Sequence, residues 1–349
     1  MFEDMARKPA AWLSGEGQGS EIVLSSRIRL ARNISEFKFP PSVDTDTRDE
    51  IIDYVKSSFQ SADLLSDGHF YISDDIDALD RDFLVERHLI SPEFMKDGTG
   101  RGVFIDNTET LSIMVNEEDH IRLQAISSGL SMDKCWEYAR QIDSRLAQKI
   151  DYAYDEKFGH LTSCPTNVGT GLRASILIHL PGLVLTREIE KVINRIAKVG
   201  LVVRGFYGEG TDVLGNLFQI SNQTTLGRSE EEIIDSLAKV TQQIIEYENN
   251  SQETLMNDAA DQIEDKVWRS YGILKHARVL NSGEVMNLLS ALRLGVSLKL
   301  IDKISLGQIN ELLIITQPAH LQKYYDREMD TNERDMVRAE LVRERLANN

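Results

Sequence analysis

The stretch Cys164 to Pro181 reads CPTNVGTGLRASILIHLP, and the rest of the chain is organised around it. A thiol beside a proline leads through Gly169 and Gly171 into a strongly apolar run. Proline and closely spaced glycines predict an irregular loop, because glycine reaches backbone angles closed to other residues. The run that follows alternates. Ala174, Ile176, Ile178 and Leu180 fall on one face, and Arg173, Ser175, Leu177 and His179 on the other. Such a strand carries Arg173 at its entrance, opposite its apolar row. A loop with a cysteine, free backbone amides and a fixed arginine suits a phosphate or carboxylate ligand. The local alternative is a Gly-rich turn that serves only to enter a core strand.

A second alternating segment precedes it. In Glu21 to Asn33 (EIVLSSRIRLARN), Ile22, Leu24, Ile28 and Leu30 are expected on one face, and Ser25, Arg27 and Arg29 on the other. Two arginines on one face repel unless something anionic lies between them. The other reading is an exposed edge strand carrying protective charge. Gly102 to Glu118 reads as a hairpin that runs into Asn116-Glu117-Glu118-Asp119-His120. If the chain stays extended there, Glu118, His120 and Arg122 share a side. Those carboxylates are either a solvated acidic turn or the partners of a cation.

Between these segments helices are expected over Asp44–Ser61, Asp77–Leu89 and Met132–Tyr154, and a short strand over Phe70–Ile72. His88, near the end of the second helix, is a capping, partly buried or functional residue. Thr186 is expected to cap a helix running to Val199. Strands at Leu201–Val203 and Leu217–Ser221 bracket Arg204-Gly205-Phe206-Tyr207-Gly208-Glu209. Ser229 and Glu232 form a capping-box pattern that opens a helix to about Tyr247. The polar stretch Glu248 to Asn257 marks a domain boundary, beyond which only helices are read (Met256–Tyr271, Gly283–Leu294, Leu306–Thr316 and Asn332–Leu346). The expected organisation is a polar leader over residues 1–20, a catalytic domain over 21–250 and an all-helical domain over 256–349.

At 349 residues the chain is long enough for two cores. A formal charge of -17 argues against broad nucleic-acid binding and against an anionic membrane surface. Cys135 and Cys164 are too few for a disulfide framework or a cysteine metal site. With no signal-like or membrane-length apolar run, the expectation is a soluble, cytoplasmic protein. Neither G-x-x-x-x-G-K-[ST] nor G-x-G-x-x-G after a strand occurs. Yet Arg27, Arg29, Arg122, Arg173 and Arg204 all lie on strands or strand ends and find no local partner in the sequence. Guanidinium forks gathered this way suit a polyphosphate.

Five segments in order, SSRIRLARN, ERHLISPE, NEEDHIRLQ, CPTNVGTGLRAS and RGFYGEGT, together resemble the phosphagen (ATP:guanidino) kinases. The resemblance spans about Glu21 to Glu248 and implies an α+β fold: a mainly antiparallel sheet flanked by helices, with the helical domain following. It implies ATP contacts from Ser25, Ser26, Arg27, Ile28 and Arg29, from His88 beside the base, and from Arg122. Further contacts would come from Arg173, Ala174, Ser175, Ile176 and Leu177, and from Arg204, Gly205, Phe206, Tyr207, Gly208 and Glu209. Glu118 and Glu209 match the carboxylates that hold the guanidinium, and Cys164 matches the thiol beside it, unless it serves only in packing. ATP and Mg2+ are the implied cofactors, and no metal site is expected on the protein itself.

Phosphagen kinases of small substrates carry a helical domain before the SSRIR-like strand, whereas here that strand starts near residue 22 and a helical domain follows the catalytic one. Both features resemble the bacterial protein arginine kinases, which implies that the substrate is arginine within a polypeptide. The same resemblance implies a homodimer, a stress-response role that marks proteins for a Clp-type protease, and a small zinc-binding activator. In the tail, Arg334 and Arg338 lie one turn apart with Asp335 between them. They are expected either as solvated surface or as a regulatory site for phosphoarginine. Two other functions stay open: a kinase of a free guanidino compound, and a non-catalytic adaptor that binds ATP or phosphoarginine.

Overall fold

Alternation in the two arginine-bearing segments becomes the centre of a single antiparallel sheet. The computed structural model describes residues 2–95, 99–206 and 214–347. Its strands are β1 (Val23–Arg32), β2 (Gly68–Ile72), β3 (Gly102–Asp106), β4 (Leu111–Val115), β5 (Ile121–Ser128), β8 (Leu172–His179), β9 (Leu201–Arg204) and β10 (Leu217–Asn222). The order is β2-β3-β4-β5-β1-β8-β10-β9. A separate small hairpin pairs β6 (Tyr154–Asp155) with β7 (Gly159–His160).

Each face of the sheet meets a different core. On one side Ile28 and Leu30 of β1, Leu123 and Ala125 of β5, and Ala174, Ile176 and Ile178 of β8 pack under the helices Thr45–Ser61 and Met132–Ala147. On the other, Leu24, Ile126, Leu177 and Leu217 join Trp12, Leu13 and the C-terminal helices. The expectation that Leu24 lies with Ile22 fails because the β1–β8 register shifts between Val23 and Ser25. The extra residue at this bulge sends Val23 into the first core and Leu24 into the second. The N-terminal residues, read as a polar leader, bury Phe2, Ala6, Ala10, Trp12 and Leu13.

Several element ends move. The helix after Asp77 stops at Glu86, and the one opened by Met132 stops at Ala147, so Tyr154 lies in β6. Thr186 does not open the next helix. Its hydroxyl donates back to the Gly182 carbonyl (2.8 Å), closing the short helix Pro181–Leu185, and the following helix spans Ile189–Lys198.

The capping box at Ser229 and Glu232 is present. The helix it opens runs to His276 through the polar stretch, with non-helical angles only at Ala259. Glu248 therefore sits inside a helix, fully buried, accepting the N–H groups of Gly182 (2.7 Å) and Leu183 (2.9 Å). The helices Ser282–Ser297, Leu306–Ile315, Pro318–Tyr324 and Thr331–Ala347 complete the chain. Of these, Pro318–Tyr324 is too short for its periodicity to be read.

Candidate active site

Pairing in the sheet fixes which side chains meet. Arg29 stands opposite Arg173 on β8 and Gln124 on β5; Arg27 stands opposite Ser175 and Ile126. Ser221 faces Ser175, and Gln219 faces both Leu177 and Arg204. Because directly paired residues share a face, Arg27, Arg29, Arg122, Arg173 and Arg204 occupy one surface. The side chains of Ser26, Ile28, Ala174 and Ile176 lie on the opposite face. Ser26 Oγ donates to the Gly129 carbonyl (2.8 Å), and the other three are core.

Arg27 and Arg29 make no ion pair on this surface among the described residues. Among the described residues Arg27 reaches only long contacts, Nε to Ser175 Oγ and Nη1 to Gln124 Oε1, both 3.4 Å. Burial, then the charges of Arg122 and Arg173, pull its pKa down to about 9. Burial and the same crowd of cations hold Arg29 well below the ordinary arginine value, and its Nε is buried without a hydrogen-bond partner among the described residues. Arg173 Nη2 donates to Ser221 Oγ at 3.1 Å. Partly buried guanidinium groups such as Arg27 and Arg29 are costly without an ion pair, so they suit an anion with several oxygens.

Arg122 departs from the expectation that the five arginines find no local partner. Its Nη1 donates to both oxygens of Glu117, at 2.7 and 2.5 Å. Burial works against its charge, but Glu117 raises its pKa overall. Burial likewise pushes Glu117 up, and Arg122 more than reverses this, so the carboxyl stays below its usual value. Ser91 Oγ also donates to Glu117.

The sequence reading gave Glu117 no role, because its facing pattern for the acidic turn held only if the chain stayed extended. The chain instead folds back, with Asn116 left-handed (φ 58) and its N–H on the His120 carbonyl (3.0 Å). Glu117 and Asp119 turn inward and Glu118 outward, while His120 is fully buried, so Glu118 and His120 do not share a side. His120 Nδ1 accepts the Ile34 N–H (3.0 Å), and Asp119 Oδ1 accepts from Asn33 Nδ2 and the Ser163 N–H, each at 2.7 Å. Asp119 thus ties the acidic turn to the cysteine loop.

Glu118 and Cys164 come together. Partial desolvation and Asp119 raise the Glu118 pKa, while Arg122 and, more weakly, the neighbouring Cys164 side chain draw it down. Asn167 Nδ2 lies 3.4 Å from Glu118 Oε2, and Cys164 Sγ lies 3.0 Å from Thr166 Oγ1. Gly169 and Gly171 hold this loop close to the rest. Both have positive φ (115 and 62), and a Cβ would fall 2.8 Å from the Thr225 carbonyl oxygen at Gly169 and 2.5 Å from the Ala31 oxygen at Gly171.

His88 sits at the far end of the arginine surface, also left-handed (φ 61). Its ring meets Trp12 (5.5 Å) and Phe206 (5.0 Å) edge-on, and together with Ser25, Arg27, Ile126, Ser175, Leu177 and Gln219 they line one pocket. Burial, then Arg27 and Arg29, lower the His88 pKa to about 3, so the imidazole is neutral. An aromatic and aliphatic pocket next to a cationic surface suits a base joined to phosphates. Arg204 closes β9, with Gly205 and Phe206 following; Tyr207, Gly208 and Glu209 lie outside the described residues. In the last helix Arg338 is buried, donating to the Thr316 (2.7 Å) and Leu280 (2.9 Å) carbonyls and to Asp335 (2.5 Å). Arg334 is partly exposed, on the Met329 carbonyl (2.7 Å).

A cationic sheet face, an aromatic pocket beside it and a carboxylate–thiol pair at the opposite end are the features expected of a nucleotide-dependent phosphotransferase. The sequence matches the family described as ATP:guanido phosphotransferase, C-terminal catalytic domain, over residues 50–251, and the protein-arginine kinase McsB C-terminal domain over 260–349. It is 46% identical over 335 residues to the protein-arginine kinase of Halothermothrix orenii, covering 96% of each chain. Among solved structures it resembles lombricine kinase (27% identity, 70% of each chain, TM-score 0.59). It also resembles the duplicated taurocyamine kinase of Schistosoma mansoni (26% identity, TM-score 0.61), with 72% of this chain matching 36% of that one. The chain belongs to the ATP:guanido phosphotransferase family, within its protein-arginine kinases.

Proposed function

We infer that the chain transfers the γ-phosphoryl group of ATP to arginine side chains of proteins. The observation that carries this is the opposition of Arg29 and Arg173 on a face that holds Arg27 and Arg122 and ends at Glu118 and Cys164. His88, Trp12 and Phe206 receive the base. Arg27, Arg29, Arg173 and Arg204 hold the phosphate oxygens, and Glu117 keeps Arg122 turned toward them.

A carboxylate near pKa 4.3 and a guanidinium above 12 differ by about eight units, roughly 11 kcal/mol. Glu118 therefore cannot deprotonate resting arginine. With Glu209 it orients the guanidinium and accepts the proton as the N–P bond forms, and Cys164 adds a polarisable neighbour. Among the described residues no cluster of His, Cys, Asp or Glu could hold a metal ion. Mg2+ would arrive on the phosphates and neutralise charge there.

The carboxy-terminal match and the whole-length relatives favour protein-bound over free arginine. We also propose that Arg334 and Asp335 form the reachable part of a phosphoarginine site, with Arg338 fixing Asp335 from within. From family resemblance alone we propose two domains, 21–250 and 256–349, a cytoplasmic homodimer and a stress-response role with a Clp-type protease and a zinc-binding activator. Among the described residues no helix is long and apolar enough to cross a membrane.

The deciding experiment incubates the protein with Mg-ATP and either an unfolded protein or free arginine, and measures acid-labile phosphate. Faster labelling of the protein is expected. Comparable or faster turnover of free arginine would replace this reading with that of a small-guanidino kinase, and no transfer to either would leave a binding adaptor.

A further inference from the structure

Three consecutive residues, Glu86, Arg87 and His88, connect the C-terminal helices to the base pocket. The Glu86 carboxylate accepts the N–H groups of Ala319 (2.9 Å) and His320 (2.7 Å), the first two available donors of the helix that begins at Pro318. Arg87 is 1% exposed and uses its whole fork: Nε and Nη2 donate to the two oxygens of Glu109 (2.6 Å each), and Nη1 lies 2.9 Å from His320 Nε2. An arginine cannot accept a hydrogen bond, so His320 Nε2 is the acceptor and its ring is neutral. His320 is fully buried, and its Nδ1 has no hydrogen-bond partner among the described residues.

From Arg87 the connection enters the site. The carbonyl of His88 accepts Gln124 Nε2 at 2.6 Å, and Gln124 Oε1 is the group that Arg27 Nη1 approaches. Trp12, which borders the His88 ring, is tied to the same C-terminal region, because Asn310 Nδ2 donates to the carbonyl of its neighbour Leu13 (3.3 Å). The last helix joins too, through Arg338 Nε on the Thr316 carbonyl, two residues before Pro318.

We propose that Glu86, Arg87 and His320 are positioning residues for the nucleotide, so that the C-terminal helix Pro318–Tyr324 is a working part of the ATP site. None of the three lines the base pocket. They act by holding the left-handed backbone of His88, and through its carbonyl Gln124 and Arg27, in the orientation that receives ATP. The inference rests on the nucleotide reading of the site.

The test uses the full chain with His320→Phe, which keeps an aromatic ring against Phe83 but removes the acceptor, and His320→Gln, which keeps an acceptor for Arg87. For His320→Phe the KM for ATP, and the Kd for Mg-ATP by calorimetry, should rise about tenfold, the scale of one lost hydrogen bond, with kcat at saturating ATP nearly unchanged. His320→Gln should recover most of the loss. Gln124→Met combined with His320→Phe should weaken binding by less than the product of the two single effects, because both break one connection.

An unchanged ATP KM in a folded His320→Phe protein would overturn the proposal. So would a His320→Gln variant as weak as His320→Phe, or strictly multiplicative effects in the pair. Failure of the wild type to bind Mg-ATP would instead overturn the nucleotide reading beneath it.

Discussion

Arg29 of β1 and Arg173 of β8 stand directly opposite each other in the register of the central sheet, two like charges on one face. Cross-strand like charges destabilise a sheet, and burial makes the pair worse. On its other side Arg29 is paired with Gln124 rather than with an acidic residue. The poorly paired Arg29 guanidinium therefore costs stability in the unliganded sheet.

Arg29→Met should therefore separate stability from function. Removing a half-buried, poorly paired guanidinium is expected to raise the unfolding free energy of the unliganded protein by about 1–3 kcal/mol. It should also weaken Mg-ATP binding at least tenfold. Thermal melts with and without Mg-ATP check both parts. A variant that melts lower and binds ATP normally would show Arg29 to be structural.

The two neighbouring glutamates should behave differently. Glu118→Gln, at the exposed end beside Cys164, should lower turnover by about 10²–10⁴ with little change in ATP affinity, and Glu209→Gln should match it. Glu117→Gln leaves Arg122 without its ionic partner, and should cost about 3–5 kcal/mol of stability as well as ATP affinity. Initial rates against ATP concentration, with melting temperatures, distinguish them. Normal turnover in both Glu118→Gln and Glu209→Gln would remove the proton-accepting role.

Cys164 should be alkylated much faster than Cys135. The Cys135 thiol is 3% exposed, burial pushes its pKa up to about 12, and it donates to the Ser26 carbonyl (3.3 Å). Thiolate is the reactive form, so Cys135 is nearly inert at neutral pH. Cys164 is partly exposed and borders Glu118. Mass-spectrometric mapping of iodoacetamide labelling should show Cys164 alone modified, and slowed by Mg-ATP with substrate. Equal labelling of both, unaffected by ligands, would leave Cys164 as a packing residue.

Acid should destabilise the fold through His120. Burial lowers its pKa from 6.5 to about 4, with the hydrogen bond to the Lys38 carbonyl opposing. The unfolded chain thus binds the proton more readily, so stability is full above pH 6.5 and falls as pH drops toward 4. The total loss from this group is roughly 3 kcal/mol. His88, lowered to about 3, adds to the same window, whereas Glu86, raised to about 8, opposes it by favouring the folded state as pH falls from 8 toward 4.5. Denaturant midpoints at pH 7 and pH 5 for wild type and His120→Asn test this. An equal drop in both proteins would exclude His120 as the source.

The central strands were legible because alternation is local: Arg27 and Arg29, or Arg173 and Ser175, announce a face two residues at a time. The capping box at Ser229 and Glu232 was legible for the same reason, whereas the cap read at Thr186 was not borne out. What escaped depended on contacts made elsewhere. The bulge that moves Leu24 needs a register with β8, and the inward turn of Glu117 needs the left-handed Asn116. The place of Trp12 in the base pocket needs helices some three hundred residues further along the chain. Trp12 beside Leu13, with Phe2 before them, was the available signal for that last feature.

The helix from Glu230 to His276 bears on how such a protein can be recombined. A splice at Glu248 or Gln252 would cut through a continuous hydrogen-bonded rod and strip the carboxylate from the amides of Gly182 and Leu183. Ala259, where the angles leave the helical region (φ -148, ψ 33), is the one seam within it. The two family matches fall on either side of that residue, ending at 251 and beginning at 260. Chimaeras between relatives joined at Ala259 keep both halves of every contact made by Glu248, while still exchanging the helices that grip Glu86 and Arg87.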